Sequence, residues 1–365
     1  MHRRAFVSAL SASAIAAGSR FVSPPARSLA AVVSPEDGRT DASRQVATPA
    51  AAFDDGLAHP IPYTPPLGAG KDRALVLGGG GVYLLSFYVG YFGELLKHGV
   101  DVGKADIIVG TSAGSIFGAI VASGKFAALA QEPGALDKFA WLYATIKPNE
   151  AQNPSQLRAS QIAVAAKEAT PEAIQSIGRA AMAAHNPAGP LDYHKAVNEL
   201  LSFSDWPSPA FHTTANDCYT GERNVVSQED VISVDVACAA SSSPPGQTGP
   251  TWLKDRLCMD GGICQTTTHC DVVTGVKRAL VVSLTDGGLE AVEQGLRISG
   301  LNNTLQQEVA DLRADGTQTM LVAAGLEPGS TRIDSIMDPK YIAPQIAFGK
   351  ERATADLEQV RAVWA

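Results

Sequence analysis

The chain has 365 residues, 45% of them hydrophobic and only 18% charged, with a formal net charge of -8. That is enough apolar material for one large core or two small ones. The acidic balance excludes a nucleic-acid partner, which needs a basic face to meet phosphates, while a membrane surface is neither required nor excluded.

Taken in order, the chain opens on Arg3-Arg4 before Ala5-Phe6-Val7, with an uncharged Ala/Ser-rich stretch to Gly18 and a small-x-small site at Ser28-Leu29-Ala30. This reads as an export signal over residues 1–30. The twin arginine followed by Phe6 resembles signals of the bacterial route that exports folded proteins, so the expected location is the periplasm or the exterior. The apolar part is too short and too polar to span a bilayer, and the mature protein is expected to be soluble or peripheral. Residues 31–70 read as a linker, rich in Ser, Ala, Asp and Pro, where Pro60, Pro62, Pro65 and Pro66 oppose helix and central strand.

The folded part is expected from Lys71. Arg73-Ala74-Leu75-Val76-Leu77 reads as a strand, Gly78-Gly79-Gly80-Gly81 as a loop, and Leu84 to Lys97 as a helix ending before Gly99. A strand, a glycine loop and a helix in that order present several free N–H groups at a helix start, fit for a phosphate or an oxyanion. No Gly-Lys-Ser/Thr follows, so this is not a P-loop. The last glycine of a dinucleotide fingerprint would fall on Tyr83 or Leu84.

Asp106 to Val109 reads as a second buried strand and Ile116 to Ala122 as a helix, with Gly110-Thr111-Ser112-Ala113-Gly114 between them. A G-x-S-x-G turn from strand to helix lifts its serine clear of the backbone and sets it where helix N–H groups favour developing negative charge. From 125 to 207 the sequence turns Ala- and Gln-rich, its helical patterns broken by Pro133, Pro148, Pro154, Pro171, Pro187 and Pro190, with Trp141-Leu142-Tyr143 as an apolar anchor. This is expected to be a helical insertion over or beside the site, or equally a scaffold cluster.

Ala210 to Ala215 and Asn224 to Ser227 read as paired strands around a Tyr219-Thr220-Gly221-Glu222 turn. Small apolar residues follow from Val231 to Ala240, broken by Ser241-Ser242-Ser243-Pro244-Pro245-Gly246, before Cys258-Met259-Asp260-Gly261-Gly262 and a buried strand over 278–284. A helix over 303–313, a strand over 319–323 and a final helix near 349–363 complete the chain. Alternating strands and helices imply a largely parallel sheet between helices. The cysteines are Cys218, Cys238, Cys258, Cys264 and Cys270. They read chiefly as buried small residues, although an oxidising compartment allows a bridge within the last three. No metal-ligand spacing involving Cys264, Cys270 and His269 matches a known type.

A serine nucleophile needs a base and donors for the oxyanion. The histidines after Ser112 are His185, His194, His212 and His269. Only His269 comes late enough for the usual Ser, Asp/Glu, His order, and its surroundings do not resemble a catalytic loop. The four read as structural or surface residues; the alternative to a histidine base is a direct Ser–Asp dyad with Asp260.

At this point the sequence resembles the patatin-like phospholipases, lipid acyl hydrolases with a Ser–Asp dyad. Leu75 to Gly81 resembles the family's glycine loop, and Gly110 to Gly114 its nucleophile elbow. Thr213-Thr214-Ala215-Asn216-Asp217 through Gly221-Glu222 resembles its hairpin. Val236 to Pro244 resembles the helix and proline before the aspartate, and Met259-Asp260-Gly261-Gly262 the D-G-G/A block. The resemblance spans roughly residues 72 to 285. It implies a three-layer α/β/α patatin-like fold with a central mostly parallel sheet, over residues 71–300, with 301–365 as a C-terminal extension packed on the domain. It implies Ser112 as nucleophile, Asp260 as base, and Gly79, Gly80 and Gly81 as oxyanion donors, with Gly110, Gly114, Gly261 and Gly262 supporting the motifs, and no cofactor or metal. Tyr83 and Leu84 stand where the family loop carries a basic residue and a glycine. Gln265-Thr266-Thr267-Thr268 stands where it tends to have Asn and Pro. The expected substrate is therefore a phospholipid, a neutral acylglycerol or a small ester. The alternatives are an acyltransferase on the same dyad and a catalytically weak lipid- or partner-binding relative.

Overall fold

A computed structural model of the chain describes residues 66–146, 152–184, 189–264 and 266–364. The export signal, all but the end of the linker, Pro148, His185, Pro187 and Gln265 lie outside the described residues.

The elements run in order as β1 (Arg73–Leu77), α1 (Gly81–Lys97), β2 (Ile107–Gly110), α2 (Ala113–Ala122), α3 (Lys125–Gln131) and α4 (Ala135–Ile146). Then come α5 (Pro154–Ala165), α6 (Pro171–Ala183), α7 (Gly189–Leu201), β3 (Phe211–Asp217), β4 (Arg223–Val226) and α8 (Val234–Ser241). The chain finishes with β5 (Thr251–Leu253), β6 (Arg256–Asp260), β7 (Arg278–Ser283), α9 (Leu305–Ala314), β8 (Gln318–Ala323) and α10 (Ile342–Trp364).

Beta-branched and leucine-rich runs make the central strands. β1 sits in the middle, parallel to β2 on one side and β7 on the other, with Leu75 opposite both Ile108 and Leu280. β3 adds in parallel beyond β2, and β8 beyond β7. The far edge is antiparallel: β6 pairs with β3 and β5 with β6, giving the order β5-β6-β3-β2-β1-β7-β8, while β4 pairs with β3 off this path.

Side chains alternate across the sheet, so both faces of its centre are covered, as a parallel sheet requires. Leu75, Leu77, Ile108, Leu280 and Val282 pack with α1, α2 and α10 in one core cluster. Ala74, Val76, Ile107, Val109, Ala279 and Val281 pack with α9 and the short helix Cys270–Val273 in another. The result is the three-layer α/β/α arrangement with a mostly parallel centre. Among the described residues no single helix is long and apolar enough to cross a membrane.

Three features depart from the sequence expectations. α1 begins at Gly81 rather than Leu84, so the glycine loop runs straight into the helix. α10 begins at Ile342, ahead of Pro344; a proline in the first turn removes an N–H that had no intrahelical partner anyway. The β5–β6 hairpin had no strand-like signal, because Trp252 is half-exposed and Arg256 is a fully buried charge.

Candidate active site

Ser112 stands between the end of β2 and the start of α2 at φ 54 and ψ -119, a backbone state that costs a non-glycine residue about 1–3 kcal/mol. The two glycines of the turn make it possible by close approach. A Cβ on Gly110 would lie 2.4 Å from the carbonyl oxygen of Gly114, and one on Gly114 would lie 2.1 Å from that of Leu77. The Ser112 N–H donates to the Ser241 hydroxyl at 2.9 Å. The Thr111 and Thr214 hydroxyls meet at 2.6 Å, tying the turn to β3.

The glycine loop passes directly beside the serine. A Cβ on Gly79 would lie 3.0 Å from that of Ser112. The Gly78 N–H is taken by the Val282 carbonyl at 2.9 Å, whereas no acceptor among the described residues takes the N–H of Gly79 or Gly80. Gly81 is the first residue of α1 at φ 59, against Ile336 and Met337, and does not line the cavity that Gly79 and Gly80 line. Tyr83, the residue standing where a cation was expected, packs edge-on against Tyr341 with ring centroids 5.3 Å apart. Burial pushes its phenol up to about 12.

Asp260 closes β6, opposite Ala215 of β3, and is almost fully buried. Its Oδ1 accepts the Gly262 N–H at 2.8 Å. The turn after it is held from three sides. Asn216 Nδ2 donates to the carbonyl oxygens of Asp260 at 2.9 Å and Ile263 at 3.1 Å. The Gly261 N–H donates to the Ser241 carbonyl at 3.3 Å, and a Cβ on Gly261 would fall 2.4 Å from the Thr214 hydroxyl. His269 completes the support, with Nε2 2.9 Å from the Gly261 carbonyl and Nδ1 3.1 Å from the Arg223 guanidinium. Burial, followed by the Arg223 charge, holds its imidazole down at about 3. The ring is therefore neutral, donating from Nε2 and accepting at Nδ1. It does not line the cavity that Ser112 lines.

Ser112, Asp260, Gly79, Gly80 and Gly262 line one cavity of about 40 Å³ together with Thr267, Leu296, Arg297, Ile298, Ser299 and Ile336. The last five come from two irregular segments after β7 and β8. These are tied to each other by the Ile333 N–H to the Gln294 carbonyl at 2.9 Å, and to α5 by the Gly300 N–H to the Ala163 carbonyl at 3.0 Å. A larger cavity of about 280 Å³ lies at the N-terminal end of β1, lined by Arg73, His98, Lys104, Arg361 and Trp364 among others. No serine, cysteine or threonine lines it.

The described residues of the helical segment 125–207 line none of the Ser112 cavity, but two of its tyrosines lie near enough to Asp260 to feel its charge. Of the Trp141-Leu142-Tyr143 anchor, Trp141 and Leu142 are half-exposed and Tyr143 is fully buried. Its hydroxyl has no hydrogen-bond partner. Burial raises its pKa, and the Asp260 charge adds to the shift. Tyr193 of α7 feels the same charge and shares a hydrogen bond of 2.7 Å with Ser242. The five cysteines carry free thiols, all buried but Cys264, which is partly so; the bridge allowed for among Cys258, Cys264 and Cys270 is not formed. Sequence reading missed Ser241, Thr267, Ser299 and Arg297, and did not foresee the role of Asn216. Asn216 and Ser241 lay in matched motifs; Thr267, Ser299 and Arg297 carried no spacing signal.

A family model described as patatin-like phospholipase matches residues 75–269. None of the curated proteins compared with the chain matches it. Among solved structures the chain is similar to VipD from Legionella pneumophila, at 13% identity and a TM-score of 0.40, over 80% of this chain and 68% of that one. It is also similar to the type III effector protein ExoU, at 15% identity and a TM-score of 0.33, over 80% of this chain and 54% of that one. The third is ExoU in the heterodimeric ExoU–SpcU complex of Pseudomonas aeruginosa, at 16% identity and a TM-score of 0.33, over 80% of this chain and 52% of that one. The chain thus spans about half the length of ExoU.

Proposed function

The chain belongs to the patatin-like phospholipase family, whose members are lipid acyl hydrolases, and on that premise we propose that it cleaves a carboxylic ester of a lipid by acyl transfer to Ser112 with Asp260 as general base. The observation that carries this reading is the shared cavity, which brings Ser112, Asp260 and the loop Gly79-Gly80 together.

In the first step Ser112 Oγ attacks the ester carbonyl carbon and its proton passes to the Asp260 carboxylate. The tetrahedral oxyanion accepts from the N–H groups of Gly79 and Gly80, which are held by the fold rather than by substrate, and removing one such donor typically costs about 100- to 1,000-fold in kcat. Collapse expels the alcohol, which leaves with the proton from Asp260. Water then gives a proton to Asp260 and attacks the acyl-serine; collapse releases the fatty acid and returns the proton to Ser112 Oγ. Every group used is a side chain or backbone N–H of this chain.

Two measurements test it. A fluorophosphonate probe should label the wild-type protein and leave Ser112→Ala unlabelled. An ester panel from nitrophenyl esters to acylglycerols and phospholipids should show turnover that falls by about 10,000-fold or more in Ser112→Ala and steeply in Asp260→Asn. A folded wild-type protein that neither labels nor turns over any ester refutes the proposal. The N-terminal Arg3-Arg4 pattern supports export as the route to its lipid; replacing both arginines with lysine should retain the protein in the cytoplasm of a bacterial host.

A further inference from the structure

Arg297 lines the cavity of Ser112 and Asp260, and it also lines a second, smaller cavity of about 20 Å³ that shares Gly79, Thr267 and Leu296 with the first. This neighbour is polar, walled by Thr266, Thr267, Ser283, Thr285 and Asn303 besides Arg297. Arg297 is partly buried. It donates from one terminal nitrogen to the Leu301 carbonyl at 2.7 Å and from the other to the Cys264 carbonyl at 3.4 Å, which leaves other N–H groups of its five for a further acceptor.

No carboxylate among the described residues pairs with it. Glu308, which approaches the same wall from α9, is instead engaged by the hydroxyls of Thr266, Thr268 and Thr304 and by the Cys270 N–H. An arginine withdrawn from water without a counter-ion is costly. Held by two neutral carbonyls in fixed orientation, it is a preorganised site for a planar, oxygen-bearing anion. The glycine loop offers no competing cation, since Tyr83 is turned away against Tyr341.

We propose that Arg297 binds the phosphodiester of a glycerophospholipid, the second cavity receiving the phosphate oxygens while the scissile ester lies at Ser112. The placement rests on the reading of Ser112 as nucleophile. It follows from the shared wall, since Arg297 lines both the cavity of Ser112 and the polar one beside it. On this reading the chain selects a charged lipid over a neutral acylglycerol with the same acyl chains, through a residue outside every matched motif.

The experiment measures binding, so that it is independent of turnover. Ser112→Ala protein is titrated calorimetrically with monomeric dihexanoylphosphatidylcholine, dihexanoylglycerol and inorganic phosphate, and the titrations are repeated with Arg297→Gln and Arg297→Lys added. The expected result is a ratio of phosphatidylcholine to diacylglycerol affinity that falls by about tenfold or more in Arg297→Gln, the worth of a charge-assisted hydrogen bond, and returns in large part with Arg297→Lys. Equal ratios in the three proteins overturn the proposal. So does a loss as deep in Arg297→Lys as in Arg297→Gln, which would mark a structural role in holding the segment. Inorganic phosphate binding as tightly as phosphatidylcholine also overturns it, assigning the site to a free anion. Failure of the wild type to hydrolyse any ester would refute the hydrolase reading without touching this ratio.

Discussion

The side-chain amide of Asn216 donates to the Asp260 carbonyl at 2.9 Å and reaches the Ile263 carbonyl at 3.1 Å, so one residue of β3 fixes both ends of the turn that carries the candidate base. Asn216→Ala leaves two buried carbonyls without that donor, a loss of about 2–4 kcal/mol, measurable by urea denaturation. Ester turnover, assayed well below the unfolding midpoint, should fall by up to about 100-fold through misplacement of Asp260, with fluorophosphonate labelling slowed rather than abolished. Turnover that follows the folded fraction alone would remove the positioning role.

The glycines of the elbow are required by space. Gly114→Ala drives a methyl group to 2.1 Å from the Leu77 carbonyl oxygen, backbone against backbone, and neither strand nor helix can retreat without opening the sheet. The expected cost is at least about 3 kcal/mol. Gly99→Ala is the control: its Cβ meets nothing within 4 Å, although its φ of 84 still strains an alanine, so it should cost only about 1–2 kcal/mol. Comparable losses in the two variants would refute the steric account.

His269 makes stability depend on pH in a defined direction. Its folded value is depressed to about 3 from 6.5, so its contribution is complete above pH 6.5 and declines as the pH falls towards 3, where the unfolded chain binds a proton that the folded chain refuses. The slope approaches about 1.4 kcal/mol per pH unit in that window. His212, also lowered by burial, acts in the same sense. Unfolding free energies at pH 7 and pH 5 should therefore differ less in His269→Gln than in the wild type, by about 2 kcal/mol. An identical pH dependence in the two proteins would contradict a neutral buried imidazole.

All five cysteines are thiols, and burial pushes that of Cys264, the most exposed, up to about 11. Dithiothreitol should leave the thermal midpoint unchanged. A thiol reagent at neutral pH should titrate none of the five quickly, and all of them after denaturation. A midpoint lowered by reductant would reveal a disulfide.

How much of this was written in the sequence depended on how local each signal is. The runs Arg73–Leu77 and Arg278–Ser283 are short, apolar and bounded by polar or glycine residues, so their strands could be read directly. Ser112 could be read because its turn needs glycines on both sides at fixed spacing. Asp260 could be read through the glycines after it, the first of which Thr214 crowds. Arg297 could not. It sits in an irregular segment with no period or motif, and its importance comes from neighbours more than thirty residues away, Cys264 and Gly79 among them. Ser241 reaches Ser112 across a separation of 129 residues, a contact that only the packed α8 creates. The final helix, expected near 349–363, starts at Ile342 because Pro344 falls in its first turn, where a missing N–H costs no intrahelical bond.

The cavity at Ser112 has about 40 Å³, space for roughly one or two water molecules and far below the several hundred cubic ångströms that a drug-sized ligand fills. Its outer wall is held by the Ile333 N–H to the Gln294 carbonyl and by the Gly300 N–H to the Ala163 carbonyl. On the proposed hydrolase reading, an acyl chain larger than that space requires the wall to move. The affinity measured in solution is then the intrinsic one diminished by the open fraction. Whatever stabilises the open form, an aggregated lipid included, tightens binding without altering a single contact to the substrate.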